Sequence, residues 1–290
     1  MRPSSFVVNW ATAGSSVSEV TARTIAVGVI GDPIRHSLSP TLHNAAFAAL
    51  GVDARSMAFE VEPGHARQAV EAMRTLGLRG LSVTLPHKEA VLEFVDKVRP
   101  EAESLGAANC LVNDQGRITA HNTDGQGFIR GLQDQFDFDL ESLRVGVLGA
   151  GGAARAVIDA LGRANVAGLV VVNRTADRAA RAASLGGAKV QVGGVEELVD
   201  CDLVVNATSL GMSDDDPMPC DPDVFSSPMT AIDLIYRQHR TPWLTEAERR
   251  GAQTANGVAM LLHQAAVQIE LWVDRPAPVD EMRRGVASSM

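Results

Sequence analysis

Two ionisable side chains stand at positions where catalytic chemistry is expected. Lys88 follows a predicted strand, Leu81 to Leu85, so it lies at the carboxyl end of a sheet strand, where open α/β folds bind their ligands. A lysine there donates a proton to a developing alkoxide, especially when a carboxylate orients it. Asp124 begins a predicted helix and is either the N-terminal carboxylate of that helix or the partner of Lys88. Sequence spacing does not decide between these roles, and a surface lysine beside Glu89 is the simpler alternative for Lys88.

Three polar side chains in the same half of the chain are candidates for binding a small ligand. Ser37 and Ser39 precede a predicted helix, and a helix N-terminus suits a carboxylate. The alternative is that Ser39 caps this helix, with Pro40 as its first residue, and that Ser37 is a loop residue. Asn109 lies between apolar neighbours, so its amide needs hydrogen-bond partners from the backbone or from a ligand.

A glycine-rich turn predicts a dinucleotide site in the second half of the chain. The apolar run Val145 to Leu148 leads directly into a G-x-G-x-x-A pattern at residues 149–154, and a helical pattern follows. Gly149 permits the tight turn, Gly151 lets the backbone approach a pyrophosphate, and Ala154 keeps the helix close to the sheet. Backbone N–H groups and the helix dipole supply positive potential. The alternative is an ordinary strand-to-helix turn.

The residues after the next predicted strand favour NADP over NAD. In NAD-binding proteins of this kind, an acidic residue about twenty positions beyond the glycine motif holds the ribose 2′-hydroxyl. This chain instead has Asn173, Arg174 and Thr175 there. The planar guanidinium of Arg174 suits a 2′-phosphate, and the alternative is a solvated arginine in the first turn of a helix.

Short β-branched runs alternate with helical periods in two series, which is typical of βαβ units and mainly parallel sheets. The predicted fold class is α/β, with two α/β domains and a boundary between Asp124 and Glu141, a range that ends in an acidic stretch from Asp134. Turn residues around Gly116 predict a hairpin over Cys110 to Ala120. The other predicted elements are strands at Ile25 to Ile30, Met57 to Val61, Arg144 to Leu148, Leu169 to Val172, Ala188 to Val192, Leu203 to Asn206 and Ala231 to Ile235, and helices at Leu42 to Leu50, His65 to Leu76 and Val258 to Trp272.

Composition excludes several classes of protein. The 290 residues are 46% hydrophobic, which is enough for a substantial core, and the net charge of −9 opposes binding to nucleic acid or to an anionic membrane. No segment approaches the roughly 18 apolar residues of a membrane span. The cysteines, Cys110, Cys201 and Cys220, and the scattered histidines predict neither a disulfide framework nor a metal site. We expect a cytoplasmic monomer or homodimer with a flexible N-terminal extension over residues 1–24.

Several segments together resemble the shikimate dehydrogenase family in order and spacing, from about Val27 to Trp272. They are Gly31 to Asn44, Ser82 to Lys88, Gly106 to Asn109, Asn122 to Gly125, Asn206 to Met212, Asp233 to Tyr236, and the helix from Gly257 to Gln264. The resemblance implies a substrate-binding domain with a mainly parallel sheet over residues 25–124 and a Rossmann-type NADP-binding domain over residues 125–256. It also implies that residues 257–290 form a helix that returns to the first domain, followed by a tail.

The resemblance also implies which residues act. Lys88 and Asp124 would form the catalytic pair. The substrate's carboxylate and hydroxyls would contact Ser37, Ser39, Thr84, Asn109 and Gln264, with Tyr236 close by. The implied NADP contacts are Gly149, Ala150, Gly151, Gly152, Ala153, Asn173, Arg174, Thr175, Ala207, Thr208, Ser209, Met212 and Gly257.

The activity implied is the reversible, NADPH-dependent reduction of 3-dehydroshikimate to shikimate. One departure from the family concerns the substrate, because relatives often have asparagine where this chain has Ser82. The alternatives are a paralogue acting on quinate or an aminoshikimate, a different two-domain NADP enzyme such as a folate- or tRNA-linked dehydrogenase, and a non-catalytic dinucleotide or metabolite sensor. The presence of both Lys88 and Asp124 counts against a sensor, since binding alone would not need the pair.

Overall fold

A computed structural model describes residues 19–213, 215–236 and 240–288. These residues form two six-stranded sheets, one from each half of the chain. Residues 1–18 of the predicted N-terminal extension lie outside the described ranges. Within these ranges, the structure contains no helix with the length and hydropathy needed to cross a membrane.

The first sheet is mixed. Its strands are β1 (Ile25–Gly31), β2 (Ala54–Glu60), β3 (Gly80–Val83), β4 (Lys97–Val98), β5 (Cys110–Asp114) and β6 (Arg117–His121). Their order across the sheet is β2-β1-β3-β5-β6-β4. β5 runs antiparallel to both β3 and β6, and the other neighbouring pairs are parallel. The β5–β6 hairpin confirms the sequence prediction, and its turn contains Gln115 and Gly116 with φ angles of 52° and 89°.

The second sheet is entirely parallel. Its strands are β7 (Arg144–Leu148), β8 (Gly168–Val172), β9 (Val190–Val192), β10 (Leu203–Asn206), β11 (Thr230–Asp233) and β12 (Gln253–Asn256). The order β12-β11-β10-β7-β8-β9 is that of a doubly wound dinucleotide-binding fold, in which the strand order reverses between β7 and β10. Ligands of such folds bind at this reversal, beyond the carboxyl ends of the strands.

Helices cover both sheets. They are α1 (Ser39–Leu50), α2 (Ala66–Leu76), α3 (Pro100–Leu105), α4 (Asp124–Gln135), α5 (Gly152–Arg163), α6 (Ala176–Ala183), α7 (Pro242–Arg249), α8 (Val258–Val273) and α9 (Val279–Ala287). Short 3₁₀ segments lie at Ala90–Phe94, Leu140–Ser142, Val195–Asp200 and Pro222–Val224. Glycine ends α1 as predicted, because Gly51 adopts the left-handed conformation at φ 63° and donates its N–H back into the last turn.

Several predicted element ends are wrong, among them the first residue of β2, which is Ala54 and not Met57, and the last residue of β11, which is Asp233 and not Ile235. Ser39 is not the cap of α1: Leu38 occupies the N-cap position, no side chain caps the helix, and Ser39 is already helical. The strand predicted to reach Leu85 ends at Val83, since the chain turns there and the His87 N–H donates to the Thr84 carbonyl at 3.0 Å.

The sequence analysis also missed several elements, including α3 and α7. β4 has only two residues and β12 is polar, so neither shows the apolar alternation that predicts a strand. The predicted C-terminal tail contains a ninth helix, α9, which packs against α1 through Met282 and Val286, exposed by 0% and 3%.

Helix α4 lies between the two halves of the molecule and packs closely on α5 and α8. Glycines permit this approach. A Cβ atom on Gly127 would lie 2.5 Å from the backbone nitrogen of Gln264 in α8, and one on Gly125 would lie 2.8 Å from the carbonyl oxygen of Ala156 in α5. The position of α8 relative to the start of α4 is therefore set by backbone contact.

The core beneath α1 and α8 contains one buried histidine. His43 is fully buried, its Nδ1 lies 3.0 Å from Ser56 Oγ, and its ring meets the edge of Trp272 with centroids 4.9 Å apart. Burial lowers the pKa of His43 to about 3, against a smaller opposing contribution from its interaction with the Gln268 side chain. The imidazole is therefore neutral at pH 7.

We expect His43 to make folding stability depend on pH. Its pKa is about 3 in the folded protein and 6.5 when exposed, so unfolding takes up a proton between these values and stability falls as the pH falls. The slope from this one group approaches about 1.4 kcal/mol per pH unit. Urea unfolding of the wild type and of His43→Phe from pH 4 to 8 checks this. The wild type should lose stability relative to His43→Phe as the pH falls below 6.5, and parallel curves would contradict the assignment.

Candidate active site

A cavity of about 220 Å³ lies between the two halves of the molecule, beside the ends of β1 and β3. Ala153 and Gly257, from the predicted cofactor set, line it. All eight side chains predicted for catalysis and substrate binding line it too: Ser37, Ser39, Thr84, Lys88, Asn109, Asp124, Tyr236 and Gln264. The fold thus brings residues from distant parts of the sequence to one place.

Lys88 and Asp124 form an ion pair in this cavity. Lys88 Nζ lies 2.6 Å from Asp124 Oδ2, and the two side chains keep 21% and 11% of their exposure. Lys88 lies just beyond β3, and Asp124 is the first residue of α4, where the helix dipole favours a carboxylate. Asp124 is therefore both the N-terminal carboxylate of α4 and the partner of Lys88, the two roles between which the sequence did not decide. A lysine ammonium held this way is able to pass a proton to a ligand oxygen.

Asn109 holds the other oxygen of the aspartate. Its Nδ2 donates to Asp124 Oδ1 at 2.7 Å and to Thr123 Oγ1 at 3.0 Å, and it lies 3.3 Å from Gln264 Oε1. Its Oδ1 accepts from the Thr123 N–H at 2.7 Å. The buried amide thus finds its partners in the segment that leads into α4. Because both carboxylate oxygens of Asp124 are held, the carboxylate plane is fixed.

Hydroxyl groups line the cavity at the start of α1. The Ser39 N–H donates to Ser37 Oγ at 3.3 Å, and the Ser39 side chain does not cap the helix. The hydroxyls of Ser37 and Ser39 therefore lie beside the positive end of the helix dipole, with Thr84 on the cavity wall. This arrangement suits a carboxylate group, as the sequence predicted.

The glycine-rich turn has the geometry of a phosphate-binding loop. It joins β7 to α5, with Gly149 in the left-handed region at φ 109°. A Cβ on Gly149 would lie 3.0 Å from the Ala207 carbonyl oxygen, whereas one on Gly151 or Gly152 would meet no atom within 4 Å. The open side of the turn therefore leaves room for a ligand at the N-terminus of α5. Ala154 is fully buried in the core beneath the sheet, which keeps the helix close.

A second turn, after β10, faces this loop. Asn206 fixes its shape, since Asn206 Oδ1 accepts hydrogen bonds from the N–H and hydroxyl of Thr208 at 3.0 and 2.7 Å. The predicted cofactor residues Ala207, Ser209 and Met212 belong to this turn, and Met212 is half exposed at 51%. Gly257 has no room for a side chain, because its Cβ would lie 2.1 Å from the Leu234 carbonyl oxygen.

The predicted 2′-phosphate residues lie outside the cavity, on the loop that follows β8. Asn173 Nδ2 donates to the Thr175 carbonyl at 2.9 Å, which shapes the loop, and Arg174 is exposed. An extended dinucleotide requires this separation, because its adenosine end and its nicotinamide end bind at different places.

The sequence analysis missed a group of arginines near the phosphate loop. They line a cavity of about 520 Å³ together with the loop glycines, and its lining includes Gly151, Gly152, Arg155, Arg178 and Arg181. Arg155 Nη2 also bonds Glu89 Oε1 across the cleft at 2.8 Å. The available signal was the three-residue step from Arg178 to Arg181, which places two charges of one sign on the same face of a helix.

The three cysteines are free and buried. Burial raises the pKa of each thiol, to about 11 for Cys201 and Cys220, so none is a thiolate at neutral pH. Nowhere in the described ranges do three His, Cys, Asp or Glu side chains converge as metal ligands.

Family comparisons match three parts of the chain. Residues 29–111 match the shikimate dehydrogenase substrate binding domain, and residues 131–212 match the shikimate / quinate 5-dehydrogenase family. Residues 257–285 match the shikimate 5′-dehydrogenase C-terminal domain.

Full-length relatives agree with these matches. The shikimate dehydrogenase (NADP(+)) of Methanopyrus kandleri is 43% identical over 279 residues, which cover 92% of this chain and 96% of that protein. The enzyme of the same name from Moorella thermoacetica is 42% identical, with 94% and 96% covered. A crystal structure of shikimate 5-dehydrogenase from Thermus thermophilus, in complex with NADP(H) and shikimate, superposes with a TM-score of 0.86 at 32% identity, covering 92% of this chain and 100% of that one. This chain belongs to the shikimate dehydrogenase family.

Proposed function

We propose that this protein catalyses the reversible, NADPH-dependent reduction of 3-dehydroshikimate to shikimate, a step in chorismate and aromatic amino acid biosynthesis. The observation that carries the proposal is the Lys88–Asp124 ion pair, which lies in one cavity with the hydroxyls at the start of α1 and with Ala153 of the phosphate loop. A proton donor, a carboxylate site and a dinucleotide loop around one cavity are the parts that this reaction needs.

We propose that three consecutive parts of the chain have different roles. Residues 25–124 bind the substrate, residues 125–256 bind NADP, and residues 257–290 complete the first domain. The contacts of α8 with α1 and β5, and of α9 with α1, support this assignment of the C-terminal segment.

Lys88 and Asp124 carry out the proton transfer. In the reduction, the Lys88 ammonium donates a proton to the alkoxide that develops at the former ketone, and in the oxidation the amine takes it back. Asp124 keeps Lys88 in position and accepts a hydrogen bond from the substrate hydroxyl. Asn109 prevents the carboxylate from rotating away, because it holds the second oxygen at 2.7 Å.

The remaining cavity side chains orient the substrate. Ser37 and Ser39 bind its carboxylate at the N-terminus of α1. Thr84, Asn109 and Gln264 contact its hydroxyls, with Tyr236 close by. Neutral donors and a helix dipole suffice for a small acid in a chain of net charge −9, since binding depends on the local potential.

The second domain holds the cofactor. Bound NADPH supplies the hydride. Gly149, Ala150, Gly151, Gly152 and Ala153 accommodate its pyrophosphate at the N-terminus of α5. Arg174, beside Asn173 and Thr175, pairs with the 2′-phosphate through its planar fork. The residues along the nicotinamide half are Ala207, Thr208, Ser209, Met212 and Gly257.

The cytoplasmic location, the monomeric or homodimeric state and the absence of a nucleic acid partner stay predictions from the sequence. The three free cysteines support the cytoplasmic location, and the net charge of −9 opposes a nucleic acid partner.

A second substrate, quinate, has support from one observation. Ser82 lines the cavity, and a short side chain there leaves space beside the substrate. The reduced-nicotinamide absorbance band separates the candidates when purified protein receives shikimate or quinate, each with NADP or NAD. We expect rapid reduction of NADP with shikimate alone. Turnover with quinate at a comparable kcat/KM would assign the second substrate, and no turnover in any of the four mixtures would refute the proposed function.

Replacing Lys88 tests the proton donor. Lys88→Ala should lower kcat by about 10²- to 10⁴-fold, the usual contribution of a general acid, while the Kd for NADPH stays within about twofold. Steady-state kinetics and NADPH fluorescence titration measure the two quantities. Lys97→Ala, at an exposed lysine of the same domain, is the control and should keep both values. Equal losses in turnover and in NADPH binding would remove Lys88 from the chemistry.

Replacing Arg174 tests the cofactor assignment. Arg174→Ala should raise the KM for NADPH about tenfold to a hundredfold, because hydrogen bonds to charged groups contribute about 1.5–3 kcal/mol. The KM for NADH should stay unchanged, since NADH lacks the 2′-phosphate. Arg284→Ala, at a distant exposed arginine, should change neither constant. An equal rise for both cofactors would show that Arg174 does not recognise the phosphate.

A further inference from the structure

Behind the cavity wall lies a line of buried polar side chains that the proposed mechanism leaves unused. It consists of Gln268, His43 and Ser56, which are exposed by 0%, 0% and 4%. They come from α8, α1 and β2, so three separate elements meet there. Polar groups this deeply buried require hydrogen-bond partners, and their partners lead toward the active site.

Gln268 touches two residues of the cavity directly. Its Nε2 donates to Gln264 Oε1 at 2.9 Å and to the backbone carbonyl of Asn109 at 3.1 Å. Gln264 lies one helical turn earlier on α8 and lines the cavity. Gln268 thus reaches the hydrogen-bond network of Asp124 from the side opposite to the cleft.

These contacts decide which way the Gln264 amide faces. Its Oε1 receives hydrogens from Gln268 Nε2 and, at 3.3 Å, from Asn109 Nδ2. If the Gln264 amide were reversed, its NH₂ group would face the NH₂ groups of Gln268 and Asn109, which are also donors. Its Nε2 donates to the Leu261 carbonyl at 2.9 Å, which uses one of its two hydrogens. The second hydrogen is left for an acceptor in the cavity.

His43 neighbours Gln268 in this core. Its Nδ1 lies 3.0 Å from Ser56 Oγ, a group that both donates and accepts hydrogen bonds, so this contact fits either neutral tautomer. Among the described residues, His43 Nε2 and Gln268 Oε1 are buried without a hydrogen-bond partner. The orientation of the Gln268 amide is therefore set by its two acceptors, Gln264 Oε1 and the Asn109 carbonyl.

We propose that Gln268 is a positioning residue, fixed by its hydrogen bond to the Asn109 carbonyl, that orients the Gln264 amide so that its NH₂ donates to a hydroxyl or carboxylate oxygen of the substrate. The identity of the substrate rests on the proposed function, whereas the orientation of the amide does not. Gln268 donates to the Gln264 oxygen, and the free hydrogen of the Gln264 NH₂ is left for the cavity.

A ligand-free measurement tests the orientation. In protein labelled with ¹⁵N-glutamine, the Gln264 side-chain NH₂ signals are assigned from their loss in Gln264→Met. Gln268→Met keeps the side-chain length and removes the donor, so we expect the Gln264 signals to move and to exchange faster with solvent. Unchanged Gln264 signals would overturn the proposal. Gln268→Asn, which withdraws the donor by one methylene, gives the same test if Gln268→Met does not fold.

Kinetics test the consequence for the substrate. Gln268→Met should raise the KM for shikimate about tenfold, with a smaller change in kcat and with the KM for NADP within about twofold. Because Gln268 acts through Gln264, the double variant Gln264→Met/Gln268→Met should be no worse than Gln264→Met alone. Additive losses would overturn the proposal.

The neighbouring residue supplies the matched control. Ile269 is fully buried on α8 and carries no polar atom, so Ile269→Val should leave both the Gln264 signals and the KM for shikimate unchanged. If Ile269→Val changes the Gln264 signals and the KM for shikimate to a similar extent, then any loss of packing in α8 produces these changes, and the proposal is wrong. If the wild type does not oxidise shikimate, the proposed function is wrong, and the ligand-free spectra still decide the role of Gln268.

Discussion

The structure depends on holding one carboxylate, that of Asp124, at the junction of the two halves of the chain. Moving an ion pair out of water is unfavourable unless its partners replace the lost hydration. Lys88 supplies the opposite charge, Asn109 a hydrogen bond to the second oxygen, and the N-terminus of α4 a favourable dipole. The pair keeps partial exposure to the cavity, which lowers the desolvation cost and leaves it accessible to a ligand.

Close packing of α4 and α8 places the rest of the cavity relative to this carboxylate. Gly127 lets the backbones meet, and Thr123 Oγ1 donates to the Gln264 carbonyl at 3.1 Å, so the start of α4 is tied to the middle of α8. Since α8 also packs on α1, the hydroxyl groups at the start of α1 are held in a fixed position relative to the Asp124 network. A displacement of α8 would therefore move both walls of the cavity.

Local geometry explains how an acidic chain offers two sites for anions. At the start of α1, hydroxyl groups and backbone N–H groups act without formal charge. Near the phosphate loop, Arg155, Arg178 and Arg181 supply positive charge over a short distance. Interactions beyond about 8–10 Å are screened at physiological salt, so the net charge of −9 opposes neither site strongly.

Local periodicity and short motifs were enough to predict the two α/β series, the phosphate loop and five candidate site residues, because each of these depends on positions only a few residues apart. The candidates were Ser37, Ser39, Lys88, Asn109 and Asp124, whereas Thr84, Tyr236 and Gln264 came from the family resemblance. The same reasoning misplaced the cap of α1 by one residue, and it missed α9, whose contacts with α1 join positions far apart in sequence. Local spacing did not decide the pairing of Asp124 with Lys88, which the family resemblance implied and the folded chain shows. The place of Gln268 behind Gln264 became known only from the folded chain. The contacts involved join positions 36 and up to 159 residues apart, and strand order and helix packing bring them together.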